Sequence, residues 1–174
     1  KGFCLGDKGP PEAQALKAGA SVVWDSAGDQ SSTENRWLQE NAEARGLKVD
    51  YLYVHADPRE TWAHEERGIV QRANNPKDGR MVDALVAADS HSIGPRNFDA
   101  WHNQNADNPN ATFTYALNKI GSLPKLIDRL PPEATTVDRK ELARYYVETV
   151  KGGSAPDRIK RGALAGHERI WRED

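Results

Sequence analysis

Apolar residues in this chain fall in short runs that alternate with polar, helix-periodic stretches, the pattern of an α/β protein. Ser21 to Trp24 is a short apolar run followed by the turn-rich Asp25-Ser26-Ala27-Gly28-Asp29, and it predicts a strand. Ser31 and Glu34 have the spacing of a capping box, Trp37, Leu38 and Ala42 recur at helical spacing, and Gly46 stands where a helix end wants a left-handed residue. Val49 to His55 predicts a longer strand. With Ser21 to Trp24 and the helix between them it makes a β-α-β unit, which favours a parallel sheet with right-handed crossovers.

Beyond Asp57-Pro58 the pattern predicts one helix from Arg59 to Ala73, ended by Asn74-Asn75-Pro76 because a residue before proline is pushed out of the α region. Met81 to His91 reads as a further helix, Ala111 to Asn118 as a strand and Ser122 to Leu130 as a helical element. Asp138 and Glu141 suggest another capped start, after which Leu142, Tyr145, Tyr146, Thr149 and Val150 form an apolar stripe of core type. The expected fold is α/β, a three-layer α/β/α sandwich whose mostly parallel sheet contains Ser21 to Trp24, Val49 to His55 and Thr112 to Leu117, with C-terminal helices. The Gly152-Gly153-Ser154-Ala155-Pro156 break divides a domain over 1–151 from a helical extension over 152–174. Residues 1–20 are rich in Gly and Pro around a short helical stretch that Gly19 can end.

Composition narrows the partners. A chain of 174 residues is most simply one domain. A formal charge of −2 and a pI near 6.2, with scattered Lys and Arg, carry no electrostatic footprint for nucleic acid or an anionic membrane. A single cysteine, Cys4, rules out an internal disulfide and fits a reducing compartment. The mean hydropathy of −0.80, with no apolar run of bilayer length, argues against a membrane helix, so a soluble, cytoplasmic protein is expected. The first residue is Lys, which suggests a processed or excised piece of a longer polypeptide.

In open parallel sheets, ligands sit outside the carboxyl ends of the strands, which here draws attention to Asp25 to Asp29, His55 to Asp57 and Asn118. Asp25 is the best catalytic carboxylate, able to hold magnesium through water or accept a hydroxyl proton; the alternative reading is an aspartate that merely opens a turn. Arg67, Arg72 and Arg80 follow the strand Val49 to His55. Guanidinium groups grip polyphosphates through bidentate, charge-assisted hydrogen bonds, although such a cluster also suits a solvated helix face. The histidines His55, His64, His91, His102 and His167 show no H-x-x-x-H spacing and the cysteine is alone, so no structural zinc site is expected; metal chemistry would be magnesium or none. There is no G-x-S-x-G elbow. The tryptophans are core candidates, with Trp62 and Trp101 also suited to lining a nucleotide or sugar site.

The run from Val22 to His91 resembles the central part of the zeta-toxin group of P-loop kinases, over roughly residues 19–130. The resemblance implies a P-loop NTPase-like fold, ATP or GTP with Mg2+, and a lid whose two arginines bind nucleotide phosphates. Arg67 and Arg80, 13 positions apart, match that lid spacing, with Arg72 between them and Arg80 also catalytic. Asp25 stands where the family has a glutamate followed by Gly-Thr, and is here followed by Ser26-Ala27. No complete G-x-x-x-x-G-K-[ST] loop is present; Lys1-Gly2 reads as the tail of one, with Lys1 as a phosphate ligand. Only 24 positions separate Lys1 from Asp25, too few for an extra strand, so the chain as given is expected to be a poor enzyme.

Two functions follow. One is an ATP-dependent small-molecule kinase of zeta-toxin type, acting on a hydroxyl, the family substrate being a nucleotide-activated amino sugar, with an antitoxin as possible partner. The other is a non-catalytic P-loop-like module that binds or assembles within a larger parent polypeptide.

Overall fold

The computed structural model describes residues 14, 15, 17–23, 32–64, 68–75, 82–153 and 155–165. Its elements run α1 (Ser32–Glu43), β1 (Val49–His55), α2 (Pro58–Ala63), α3 (Ile69–Ala73), α4 (Ala84–Gln104), β2 (Ala111–Leu117), β3 (Lys125–Ile127), α5 (Pro132–Thr135), α6 (Arg139–Gly152) and α7 (Asp157–Ala163). The protein is mixed α/β, with a three-stranded sheet in the order β1-β2-β3. β1 and β2 are parallel, with Val49 opposite Ala111 and His55 opposite Leu117. β3 runs antiparallel to β2, with Ile127 opposite Tyr115.

Burial alternates along β1 with the period of a strand. Tyr51, Tyr53 and His55 face the helices, where Tyr53 packs on Phe98 of α4 at a ring distance of 4.9 Å and Tyr51 meets Trp101 edge-on at 6.3 Å. Leu52 and Leu126 lie on the opposite face, 62% and 69% exposed, with Val54 also exposed between them. Among the described residues, helices therefore cover one face of the sheet. The main core lies between helices: Ala84, Ala87 and Ala88 of α4 let α6 approach closely with Leu142, Ala143, Tyr146, Val147 and Val150, and Trp62 of α2 fills the gap. Trp62 stacks on Tyr146 at 4.3 Å and donates its indole N–H to the Tyr146 carbonyl at 3.2 Å. Ala163 of α7 joins this core. No helix among the described residues is long and apolar enough to cross a membrane.

Several expected elements form as expected. α1 ends before Gly46, which has a φ of +67°. Asp138 caps α6 by accepting from the Glu141 N–H at 2.7 Å. In the stripe, Leu142, Tyr146 and Val150 are buried, while Tyr145 and Thr149 lie at its margin and Ala143 and Val147 complete it.

Others are corrected. Ser21 to Val23 form no strand and Val23 is 96% exposed, Trp24 lying outside the described residues. The parallel partner of β1 is β2, so the crossover runs through α2, α3 and α4 rather than α1. Three apolar residues offer too few ladder bonds to hold a strand without a long-range partner. The single helix expected over 59–73 is two short ones, and the second starts after Gly68, where a side chain would lie 2.6 Å from the His64 nitrogen and 2.8 Å from the Trp62 carbonyl oxygen, an approach open only to glycine. α4 continues to Gln104, well past His91, with Gly94 and Pro95 buried inside it, where tertiary packing overrides both helix breakers. The stretch Ser122 to Leu130 is not helical: Gly121 (φ +86°) turns the chain and Lys125 to Ile127 pair with β2.

Candidate functional site

The parallel strands end together at His55 and Leu117, and there the Asn118 N–H donates to the His55 carbonyl at 2.7 Å. Beyond this end lies a cleft of about 300 Å³ bounded by the start of α2, by α5 and by the start of α6. His55, Asp57, Arg59, Glu133, Asp138 and Glu141 supply its polar lining.

Local chemistry fixes each wall. Asp57 precedes Pro58, which suits a first helical position, and its carboxylate accepts from the Arg59 and Glu60 N–H groups at 2.8 and 2.9 Å. Asp138 does the same at α6. Arg59 pairs with Glu141 across the cleft mouth, its guanidinium 5.3 Å from the Tyr145 ring. Arg96 of α4 donates to the Thr135 carbonyl at 2.8 Å and to that of Val137, holding the α5–α6 connection against α4. Arg139 grips Asp89 with both Nε and Nη2, tying α6 to α4.

Behind His55 runs a short polar chain. The Tyr146 hydroxyl donates to the Pro58 carbonyl at 3.0 Å, leaving its oxygen to accept from His91 Nδ1. This assigns the Nδ1–H tautomer to neutral His91, with Nε2 unprotonated. Burial pushes the His91 imidazole below its ordinary value, and neighbouring His55 pushes in the same direction. Burial also lowers His55, opposed by the charges of Asp57 and Glu133. Both rings are therefore neutral near pH 7. The Tyr146 hydroxyl is pushed up by burial.

Of the residues expected to bind nucleotide or act in catalysis, Lys1, Asp25, Arg67 and Arg80 lie outside the described residues. Arg72 is exposed in the last turn of α3. His55, Asp57 and Asn118, singled out for following strands, do meet at one sheet end. Trp62 is fully buried and lines no surface. Trp101 is nearly so; it borders a second cleft of about 290 Å³ with Arg36, Gln39, Glu43 and Asn105, where its N–H finds no hydrogen-bond partner. Gln39 there donates to Glu43 and Asn105 at 2.9 and 3.1 Å, and Asn108 and Gln39 hold the Glu43 carboxyl below its usual range.

The sequence pattern singles out neither Glu133 nor Arg59, marks Glu141 only as part of a helix cap, and does not anticipate the pairing of His91 with Tyr146. Glu133 carries a faint local signal as the acid in the first turn after Pro131-Pro132; the 55-residue separation of His91 and Tyr146 carries none. Among the described residues no group of three or more His, Cys, Asp or Glu side chains is arranged to hold a metal ion. In comparisons with known proteins, no family model, no curated protein and no solved structure matches this chain.

Proposed function

We propose that the chain is the body of an ATP- or GTP-dependent small-molecule kinase of the zeta-toxin kind, transferring a phosphoryl group to a hydroxyl. The observation that carries the reading is the cleft at the common carboxyl end of parallel β1 and β2, where open α/β sheets bind their ligands. In sequence, the chain leaving that end carries Arg67 between α2 and α3, Arg72 in the last turn of α3 and Arg80 beyond it, the order a phosphate-binding lid would use. In this reading Lys1 and the arginines hold the phosphates, Mg2+ accompanies them, and Asp25 stands at the acceptor.

A second reading is favoured by the exposed apolar face of Leu52, Val54 and Leu126. Parallel sheets are normally covered on both faces, so this face suits a module that assembles within a larger polypeptide or against an antitoxin. A three-layer, P-loop NTPase-like sandwich would place its other helices there.

Calorimetric titration of Mg·ATP, with a phosphate-transfer assay, separates the two. Saturable binding of Mg·ATP together with phosphate transfer to a hydroxyl supports the kinase. No binding at millimolar ATP sinks that reading and leaves the module.

A further inference from the structure

We propose that the cleft at the end of β1 takes the hydroxyl-bearing, unphosphorylated part of the acceptor, and that His55 is the catalytic residue that receives the hydroxyl proton. The proposal rests on the kinase reading and names which end of the reaction this cleft serves.

Charge decides against phosphate. Asp57, Glu133, Asp138 and Glu141 face the cleft against the guanidinium of Arg59, which Glu141 already engages. The starts of α2 and α6 are the natural anion sites here, and the side chains of Asp57 and Asp138 occupy both. A polyphosphate would meet carboxylates wherever it turned, whereas a hydroxyl finds acceptors.

His55 is the lining group suited to take a proton. Tyr53 stacks beside it on β1 at a ring distance of 6.5 Å, Asp57 and Arg59 face it from α2, His91 from α4, Glu133 from α5, and Asp138 and Glu141 from the start of α6. A half-buried neutral imidazole has a free nitrogen lone pair, and the carboxylates of Asp57 and Glu133 stabilise the imidazolium once it forms. As the acceptor oxygen bonds to the γ-phosphorus, the bond from phosphorus to the ADP oxygen breaks. The hydroxyl proton passes to the unprotonated ring nitrogen of His55, and ADP leaves with the bonding electron pair.

The test uses the chain at saturating Mg·ATP, with water as the smallest hydroxyl acceptor and phosphate release as the rate. H55Q is expected to lower kcat by about 10² to 10⁴ with KM for ATP kept, and to abolish the acidic limb of the pH–rate profile. E133Q, whatever its plateau rate, should move that limb to lower pH, because loss of the Glu133 charge makes His55 harder to protonate. An NMR titration of the His55 ring in the chain without nucleotide provides a readout independent of turnover: its midpoint should lie below 6.5 and fall further in E133Q. Rates and pH profile untouched by H55Q would overturn the assignment while leaving the kinase reading in place. Failure to bind Mg·ATP overturns the kinase reading and this assignment with it.

Discussion

The hydroxyl of Tyr146, in the middle of α6, reaches 88 residues back along the chain to donate to the carbonyl of Pro58 at 3.0 Å. That bond fixes the start of α2 against α6, and because the same oxygen accepts from His91, it joins α2, α4 and α6 at the back of the cleft. Tyr146→Phe removes the donor and leaves the Pro58 carbonyl and His91 Nδ1 without it. The expected cost is about 1–3 kcal/mol in urea unfolding, as for other buried groups stripped of a partner. A change under about 0.3 kcal/mol would show that the chain is not tied together here.

Trp62→Ala removes the ring stacked on Tyr146 and opens the main core, at an expected cost of about 3–5 kcal/mol. Trp37→Ala, at a partly exposed position of α1, should cost far less in the same denaturation series.

Gly68→Ala tests the close approach of the α2–α3 connection. The φ of −65° at Gly68 suits any residue, so backbone freedom is not at stake. The added methyl would lie 2.6 and 2.8 Å from the nitrogen and oxygen of His64, which are main-chain atoms unable to rotate aside. The melting temperature should fall by roughly 2–4 °C for each kcal/mol of strain; an unchanged or raised value would place the connection elsewhere.

Stability should fall as the solution is acidified below about pH 6.5. The imidazoles of His55, His91 and His102 are all held below their ordinary value of 6.5, chiefly by burial, so the unfolded chain binds more protons than the folded one once pH drops below that value. Their contribution is complete above 6.5 and is lost progressively as pH falls toward the folded values. Urea midpoints from pH 5 to 7.5 read this directly, and H91Q should flatten the slope; a midpoint that rises on acidification contradicts it.

Under the kinase reading, Arg80→Ala should lower kcat by roughly 10³ or more, as loss of a transition-state arginine does. Asp25→Asn, which removes a carboxylate able to hold Mg2+ through water, should lower turnover with ATP affinity largely kept. Equal losses of affinity in both variants would assign the two residues to nucleotide binding alone.

The amino-acid sequence by itself determined the elements with strong local signals. β1 and β2 are legible as short runs of β-branched, aromatic and aliphatic residues, and the helix ending before Gly46 and the Asp138-capped α6 because capping and left-handed glycine are short-range chemistry. It also drew attention to His55 and Asp57, since the end of a parallel strand is where α/β ligands sit. The tertiary structure decided which strands pair, that Lys125 to Ile127 joins the sheet, that Gly94-Pro95 continues a helix, and that the chain breaks at Gly68. It also brought Glu133 beside His55, and Tyr146 onto His91 and Pro58. Periodicity records which side of an element is buried but not what buries it, and contacts between residues 55 and 88 positions apart leave no mark on local pattern.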